Sequence, residues 1–308
     1  MTWNDLLHPS PTPLQQLTHP AWRAAGVELW IKRDDLLAPA HNDPFCGNKW
    51  RKLQHNLLAA RAAGHQRLLT FGGAYSNHIA AVASAGHHLG FETVGIIRGE
   101  AVSNPTLERA RSAGMQLHFV DRVTYRRKNE AVQQVRWQTQ FAPAYLIPEG
   151  GTNPNALLGC SALAREITDQ LTPTHLAVAC GTGGTLAGLV QGLSPNVQAI
   201  GISVLKGNFM AKAVAQWLDH LSAEWTVYNE YHHGGYAKSS PALRTYIQAF
   251  YDQFGCLLDP IYTGKLFFAL EDLLRRSVFA AGDRVVAIHT GGLQSFASRL
   301  PSFRDHKP

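Results

Sequence analysis

Short apolar runs alternate along this chain with longer stretches in which apolar and polar positions recur at helical spacing. The runs have the length of buried strands and lie at residues 67–71, 93–97, 116–120, 175–180, 197–204 and 284–289. The longer stretches predict helices at 78–88, 105–113, 128–140, 155–170, 184–192, 241–254 and 265–280. Strands that alternate with helices favour parallel sheets covered by helices, so the pattern predicts an α/β fold.

The sequence shows no internal repeat, low-complexity segment or long linker. Its 308 residues suffice for two domains of moderate size, and a second domain would have to be a lobe inserted into the first. No apolar run approaches the ~20 residues of a membrane helix, and the first residues lack the basic and apolar segments of a secretory signal. The four cysteines form no CxxC pair, which favours reduced thiols in a cytoplasmic protein.

The formal net charge is +6 and the pI is about 9.2, which fits a nucleic acid, an acidic partner or an anionic cofactor or substrate. The basic residues are mostly scattered, and the densest cluster, within 122–128, is typical of a solvated helix face. Because zinc-finger spacing, an RNA-binding aromatic signature and a basic tail are missing, no nucleic-acid partner is predicted. His232 and His233 are adjacent but have no further ligands at metal-binding spacing, so no metal site is predicted either.

A glycine-rich turn, Cys180-Gly181-Thr182-Gly183-Gly184-Thr185, directly follows the predicted strand at 175–180. Glycines let backbone N–H groups converge on an anion, and the start of the next helix adds a favourable dipole, so the turn could bind a phosphate. It departs from the dinucleotide pattern G-x-G-x-x-G because Leu186 occupies the last glycine position, which argues against a nucleotide-binding oxidoreductase. A turn that only packs a strand tightly on a helix is the alternative.

A second turn, Gly47-Asn48-Lys49-Trp50-Arg51-Lys52, places a lysine at the start of a predicted helix. Lysine forms Schiff bases when burial or neighbouring cations lower its pKa, and Arg51 and Lys52 are such neighbours. Lys52 lies one turn along the same face and could meet a phosphate. A solvent-exposed basic helix start is the common alternative for such a pattern.

Three further turns carry polar side chains that could line a pocket. They contain Ser76, Asn77 and His78 after the run at 67–71, Tyr262 and Thr263 at a turn interpreted as strand-to-helix, and His289-Thr290-Gly291-Gly292 after the last run. Ser and Asn are also ordinary helix N-caps, and a tyrosine at a helix entry is common. Each turn alone is therefore a weak signal.

Together and in this order, the turns resemble the fold-type-II pyridoxal-phosphate enzymes, in particular the group of 1-aminocyclopropane-1-carboxylate deaminase and D-cysteine desulfhydrase. The resemblance begins at Trp30-Ile31-Lys32-Arg33-Asp34-Asp35 and runs through His289-Thr290-Gly291-Gly292, nearly the whole chain. It implies pyridoxal 5'-phosphate as cofactor, a homodimer, and two open αβα lobes of the tryptophan-synthase-β type with the cofactor in the cleft between them. Residues 1–52 plus 148–308 would form the larger domain and 53–147 the smaller, inserted one.

The resemblance also implies roles for individual residues. Lys49 matches the Schiff-base lysine, which later moves the Cα proton, and Lys52 matches a lysine that contacts the phosphate. Asn77 matches the asparagine beside the pyridine 3-oxygen, and Ser76 lies where the substrate is handled. The remaining matches are the phosphate loop of Gly181, Thr182, Gly183, Gly184 and Thr185, and two active-site tyrosines, Tyr262 and Tyr236.

Two positions bear on the substrate. Deaminase-like members of the group have glutamate facing the pyridine nitrogen and leucine before the last Gly-Gly, whereas desulfhydrase-like members have threonine at both, as Thr263 and Thr290 are here. The sequence therefore predicts α,β-elimination on a small amino acid, most plainly the conversion of D-cysteine into pyruvate, sulfide and ammonia. The Tyr75-Ser76 loop leaves other β-substituted amino acids open. The alternatives are a deaminase that gives 2-oxobutanoate and ammonia, and a catalytically silent homologue that only binds the cofactor.

Overall fold

The computed structural model describes residues 1–219 and 223–293. Its strands are β1 (Leu14–Leu17), β2 (Glu28–Lys32), β3 (Arg67–Gly73), β4 (Glu92–Arg98), β5 (Gln116–Val120), β6 (Tyr145–Ile147), β7 (His175–Cys180), β8 (Gln198–Ser203), β9 (Trp225–Tyr228) and β10 (Arg284–Ile288). Its α-helices are α1 (Trp3–Leu7), α2 (Pro20–Ala24), α3 (Gly47–Ala62), α4 (Asn77–Leu89), α5 (Pro105–Ser112), α6 (Arg122–Arg126), α7 (Ala131–Gln140), α8 (Pro154–Gln170), α9 (Gly184–Gly192), α10 (Met210–Ala215), α11 (Pro241–Phe254) and α12 (Thr263–Arg275). Short 3-10 helices span Asp34–Leu36, Glu149–Gly151 and Glu230–His232.

The described chain forms two compact units. The first comprises Met1–Pro9 and Ala38–Ala156, and the second comprises Ser10–Leu37 and Leu157–Leu293. The segment predicted as an inserted lobe, 53–147, lies within the first unit, which also contains residues 38–52 and 148–156. Each unit is built on its own sheet.

The sheet of the second unit has six strands in the order β1-β2-β10-β7-β8-β9. Only the pairing of β1 with β2 is antiparallel; the other pairs are parallel. Neighbouring residues of β7 point to different cores: Ala177 packs with α11 and α12 on one face, and Val178 packs with α8, α9 and α10 on the other. Because both faces are covered by helices, the central strands read as continuous apolar runs rather than as alternating ones.

The sheet of the first unit has four parallel strands in the order β5-β4-β3-β6. Leu69, Phe71, Val94 and Ile96 form a core on one face with aromatic residues of α6 and α7. Helix α4 packs against β3 and β4, where Gly86 leaves no room for a side chain against Thr93. The α/β fold with mostly parallel sheets is thus confirmed.

Several element boundaries differ from those predicted. Strands β1, β2, β6 and β9 lie outside the predicted runs, and the helix expected at 128–140 begins only at Ala131, after the separate helix α6. The helix expected at 265–280 runs from Thr263 to Arg275, because Ser277 has a left-handed backbone with a φ of +56°. The interpretation of residues 259–265 as a strand-to-helix turn was wrong, since the segment before α12 contains no strand.

Two expectations from composition can be compared with the structure. No helix in the described part of the chain is long and apolar enough to cross a membrane. All four cysteines lie among the described residues, are buried and form no disulfide there.

The parallel topology places the loops of interest at the carboxyl ends of strands. In the first unit β3 leads to Ser76 and β6 leads to Thr152, and in the second β7 leads to Gly181 and β10 leads to Thr290. The carboxyl ends of parallel strands share one edge of their sheet, which is where open α/β sheets bind ligands. Each unit therefore presents these loops along one sheet edge.

Candidate active site

Lys49 lies in the first turn of α3, at a chain reversal that Gly47 makes possible. Gly47 has a φ of +51°, in the left-handed region that glycine adopts without steric cost. Phe45 and Trp50 flank the turn, are both buried, and stack with their ring centroids 4.9 Å apart. The side chain of Lys49 is half-buried. The backbone that carries it is fixed by the packing of the residues on either side.

Lys52, one turn further along α3, is buried, and its Nζ donates to Thr152 Oγ1 at 2.7 Å. Thr152 follows β6 and its 3-10 helix. A Cβ on Gly151 would lie 3.1 Å from Cε1 of His78 and 3.8 Å from Cβ of Lys52. Glycine at this position therefore lets the starts of α3 and α4 pack closely on the turn after β6.

His78 is a buried imidazole whose Nε2 lies 2.8 Å from Thr70 Oγ1, and this hydroxyl donates to Ile147 O at 2.9 Å. Burial, with the positive charges of Lys49 and Lys52, lowers the pKa of His78 well below its usual value, and an interaction with the backbone of Pro148 opposes only part of this effect. The ring is therefore neutral near pH 7. Sequence reasoning gave His78 no role of its own.

Ser76 and Asn77 stand where β3 leads into α4. Ser76 is the N-cap of this helix, and its Oγ accepts from the backbone N of Ile79 at 3.4 Å. Gly72 permits the approach, since a Cβ there would lie 2.8 Å from both Cβ and Oγ of Ser76. Ser76 and Asn77 are half-buried, so a hydroxyl and an amide stand at the positive end of a helix dipole.

The glycine-rich turn of the second unit joins β7 directly to α9. Gly183 is the N-cap of α9 with a φ of +79°, and a Cβ there would lie 2.9 Å from Cγ2 of Val214. The first N–H groups of a helix lack intrahelical acceptors and point along its axis. Thr182 is exposed and Thr185 is buried at this turn. The turn therefore has the backbone of an anion site at a helix start.

Two tyrosines lie beside this turn. A Cβ on Gly181 would lie 3.2 Å from Cε1 and 3.3 Å from the hydroxyl oxygen of Tyr262. The ring of Tyr236 meets that of Tyr262 edge-on, with centroids 6.2 Å apart and an interplanar angle of 71°. The structure thus brings Tyr236, Tyr262 and the glycine turn together within the second unit.

Thr263 is fully buried beside Asp259 at the start of α12. Its hydroxyl donates to Asp259 Oδ2 at 2.7 Å and accepts from the backbone N of Asp259 at 2.8 Å. The same carboxylate accepts from the backbone N atoms of Ile261, Tyr262 and Thr263 at 2.7–2.9 Å. Asp259 therefore fixes both Tyr262 and Thr263. Sequence reasoning missed it, although an Asp just before a helix start is a known capping signal.

Thr290 is half-buried at the carboxyl end of β10, next to the fully buried His289. His289 Nε2 donates to Leu257 O at 2.8 Å, and its Nδ1 lies 3.6 Å from Asp35 Oδ1. Burial lowers the pKa of His289, but the charge of Asp35 and the hydrogen bonds of the ring together outweigh this effect and raise the pKa to about 9. The contacts with Leu257 and Asp35 fix the loop that carries Thr290. His289 was noted in the sequence only as part of a motif.

The fold and these loops can now be compared with known proteins. The family of pyridoxal-phosphate dependent enzymes matches residues 6–291 of this chain. A Pyrococcus horikoshii protein provisionally named 1-aminocyclopropane-1-carboxylate deaminase is 32% identical over 314 residues, which cover 93% of this chain and 91% of that protein. A D-cysteine desulfhydrase of Klebsiella pneumoniae is 29% identical over 315 residues, which cover 95% and 94% respectively. A solved structure of an ACC deaminase homologue has a TM-score of 0.78 at 30% identity and covers 93% of this chain and 91% of its own.

The parallel sheets and their carboxyl-edge loops define a fold-type-II pyridoxal-phosphate enzyme. The chain belongs to the family of pyridoxal-phosphate dependent enzymes, and its cofactor is pyridoxal phosphate. Structural features of each unit fit such a group. In the second unit, the left-handed backbone of Gly183, packed closely on Val214, begins α9 directly after β7, where the first N–H groups of the helix suit a phosphate. In the first, the amines of Lys49 and Lys52 beside a neutral His78 suit an aldehyde or an anion.

Proposed function

We propose that the protein catalyses α,β-elimination from a small amino acid, with D-cysteine as substrate and sulfide, pyruvate and ammonia as products. The observation that carries this proposal is the hydroxyl of Thr263, at a position where the deaminase-like enzymes that the sequence resembles have glutamate. Its proton is donated to Asp259 Oδ2, so Thr263 offers a neutral oxygen instead of a carboxylate. Thr290 supports the same assignment, since it matches the desulfhydrase-like enzymes as well.

The difference between a hydroxyl and a carboxylate matters for the chemistry. Bound pyridoxal phosphate supplies an electron sink that acidifies the Cα–H bond of an attached amino acid. A carboxylate beside the ring nitrogen strengthens this sink by favouring a protonated nitrogen, and a neutral hydroxyl does so less. Thiolate is a far better leaving group than a strained cyclopropane carbon, so its elimination can proceed with the weaker sink. Thr263 therefore favours elimination over ring opening.

The first unit would supply the groups that hold and move protons. Lys49 Nζ would hold the cofactor covalently, and once the substrate amine has displaced it, the freed neutral amine would remove the Cα proton. Lys52 would help to hold the phosphate, Asn77 would hold the ring, and Ser76 would bind the substrate carboxylate. The half-buried positions of Ser76 and Asn77 at the start of α4 support these assignments.

The second unit would supply the anion site and the aromatic wall. The backbone N–H groups of 181–185, with the hydroxyls of Thr182 and Thr185, bind the phosphate at the start of α9. Tyr262 and Tyr236 contact the substrate, and their edge-on packing beside Gly181 supports a shared position.

A deaminase that opens 1-aminocyclopropane-1-carboxylate is the second candidate function. The names of relatives favour it, since a protein with 32% identity and a solved structure with 30% identity both carry the deaminase name or title. In this case the products would be 2-oxobutanoate and ammonia, without sulfide. Thr263 is the residue that argues against it.

The test is product release by the holoenzyme from D-cysteine, L-cysteine and 1-aminocyclopropane-1-carboxylate. We expect sulfide and pyruvate in equal amounts from D-cysteine, lost in Lys49→Ala and kept in Lys212→Ala, which removes an exposed lysine of α10. Borohydride reduction followed by peptide mapping should find the cofactor fixed to Lys49. Turnover of the cyclopropane substrate alone would overturn the inference from Thr263. Fixation at Lys49 without turnover of any of these three compounds would mean either that the substrate is another amino acid or that the protein is a silent binding protein.

A further inference from the structure

Lys265, the third residue of α12, is a fully buried lysine to which the proposed chemistry assigns no role. Its Nζ donates to His232 O at 2.8 Å and to Gly235 O at 2.9 Å, and lies 3.5 Å from Val204 O. A buried ammonium is costly unless its three protons find acceptors. Backbone carbonyls from two separate segments provide them here.

The segment that receives two of these bonds, residues 232–237, has an unfavourable backbone. His233 and Ala237 have φ values of +49° and +55°, and the two glycines between them, Gly234 and Gly235, have φ values of +96° and +110°. Left-handed geometry at a residue other than glycine costs on the order of 1 kcal/mol and persists only when surrounding contacts enforce it. The segment therefore depends on its tethers, and Lys265 binds it at both the beginning and the middle.

Tyr236 immediately follows Gly235, and its ring packs edge-on against Tyr262, three residues before Lys265. Both tyrosines are thus connected to the first turn of α12. Tyr262 is connected through the chain itself, and Tyr236 through the hydrogen bonds of the Lys265 ammonium. We propose that Lys265 is a positioning residue that holds residues 232–237 so that Tyr236 stays against Tyr262. The consequence for catalysis rests on the proposed function, whereas the tether itself does not.

The hydrogen bonds by which Lys265 holds residues 232–237 depend on the charge of its amine, so the strength of this tether should depend on pH. Burial lowers the pKa of Lys265 to about 8, and the opposite charge of Asp259 counteracts part of this effect. His233 also interacts with Lys265 electrostatically, and with its neighbour His232. A neutral amine keeps two N–H donors and cannot satisfy all three carbonyls, so the segment should loosen as the pH rises above about 8.

Hydrogen exchange of the holoenzyme, followed by mass spectrometry, tests the tether without any assumed substrate. We expect exchange at 232–238 to be about tenfold faster in Lys265→Met than in the wild type, the effect of losing a charge-assisted hydrogen bond. Lys238→Met, which removes an exposed lysine at the end of the same segment, should leave exchange unchanged. Unchanged exchange in folded Lys265→Met would overturn the proposal.

Two further measurements keep the proposal testable. In Lys265→Ala, methylammonium should enter the space left by the side chain and restore protection at 232–238; failure of the amine to do so contradicts a role for the ammonium. If neither variant folds, hydrogen exchange of the wild type is measured from pH 7 to 9 at 232–238 and in α11, which serves as the internal reference. An equal change of exchange with pH in these two segments would count against the tether.

The link to catalysis is tested by a double-mutant cycle. Tyr236→Phe and Lys265→Met should each lower kcat/KM, by about tenfold for the latter, and the double variant should be no worse than the more impaired single variant. Additive losses would show that Lys265 acts on stability alone. If no substrate is turned over, the proposed function fails while the exchange measurements still decide the tether.

Discussion

Thr263 and Asp259 show how one buried hydroxyl connects a helix start to the residues before it. Thr263→Val preserves the shape of the side chain but removes the hydrogen bonds at 2.7 and 2.8 Å to Asp259. We expect the free energy of unfolding of the apoprotein to fall by about 2 kcal/mol in urea denaturation, because buried polar groups lose their partner. Thr263→Ser keeps the hydroxyl and should lose only about 1 kcal/mol for its methyl group. A larger loss in Thr263→Ser than in Thr263→Val would assign the stabilisation to the methyl group instead.

His78 should make stability depend on pH in the acid range. Its pKa is lowered well below 6.5 in the folded protein by burial and by the charges of Lys49 and Lys52, and it returns to about 6.5 in the unfolded chain. Below pH 6.5 the unfolded chain therefore binds a proton that the folded protein does not. The free energy of unfolding falls as the pH falls, by at most about 1.4 kcal/mol per pH unit from this group.

The matched pair His78→Gln and His87→Gln, on the same helix, isolates this contribution. His87 is exposed, so its variant should follow the wild-type dependence on pH in denaturation at pH 7, 6 and 5. His78→Gln should have a shallower slope below pH 6.5. A slope equal to that of the wild type would mean that the imidazole of His78 is already charged in the folded protein.

At the scale of single residues, the sequence predicted the motif residues but not the residues that fix them through hydrogen bonds. Lysine, glycine and threonine in ordered turns pointed to Lys49 and to 181–185. Asp259 and His78 act through bonds to backbone and side chains that only the fold brings together. Lys265 did leave a signal, since it shares a helix stripe with Ala269 and Leu273, both buried. What it binds depends on carbonyls about 30 and 60 residues away, which no local pattern encodes.

The start of α9 is the element on which the proposed phosphate site depends. Gly183→Ala must place a residue with a Cβ at a φ of +79° and bring that Cβ within 2.9 Å of Val214. Gly90→Ala has almost the same backbone, with a φ of +76°, and nothing within 4 Å of the added Cβ. Both variants should lose about 1–2 kcal/mol from left-handed strain, and Gly183→Ala should lose more through the contact with Val214.

The two glycine variants should differ most in cofactor affinity. Equilibrium titration of each apoprotein with pyridoxal phosphate should show at least about tenfold weaker binding for Gly183→Ala, because displacing the helix start misplaces the N–H groups. Gly90→Ala should bind like the wild type. Equal affinities for all three proteins would place the phosphate elsewhere.

Among the elements, the pattern predicted the strands that burial on both faces makes apolar, and also β5, whose residues are exposed or half-buried. The runs that became β3, β4, β7, β8 and β10 are almost entirely buried, so apolar residues occupy successive positions. Strands β1, β6 and β9 have three or four residues with mixed exposure and carry no such run. Around α6 the sequence predicted only a solvated helix face at 122–128, without bounds. Its start is set by a local cap, since Asp121 accepts from the backbone N atoms of Val123 and Thr124.

At the scale of the whole molecule, the parallel topology gathers loops that are far apart in sequence at the edge of a sheet, where a ligand can bind. Residues at 76, 152, 181 and 290 are far apart in sequence, yet each follows a strand whose carboxyl end lies on the shared edge of its sheet. An α/β pattern predicts this edge as the binding region before any side chain is placed. The division into compact units depends on packing between helices and sheets, which the pattern of a single chain does not specify.

The proposed residues come from both units, so removal of the cofactor should affect both. A ligand that binds only the folded protein stabilises it by RT ln(1 + [L]/Kd), about 2.7 kcal/mol at 100 times Kd. We therefore expect a lower thermal midpoint for the apoprotein, and faster hydrogen exchange both at the start of α3, near Lys49, and at 181–185. Lys49→Ala should still gain protection at 181–185 on adding pyridoxal phosphate, since the phosphate loop is intact. Protection confined to one unit would remove the other unit's residues from the proposed site, whichever substrate the enzyme uses.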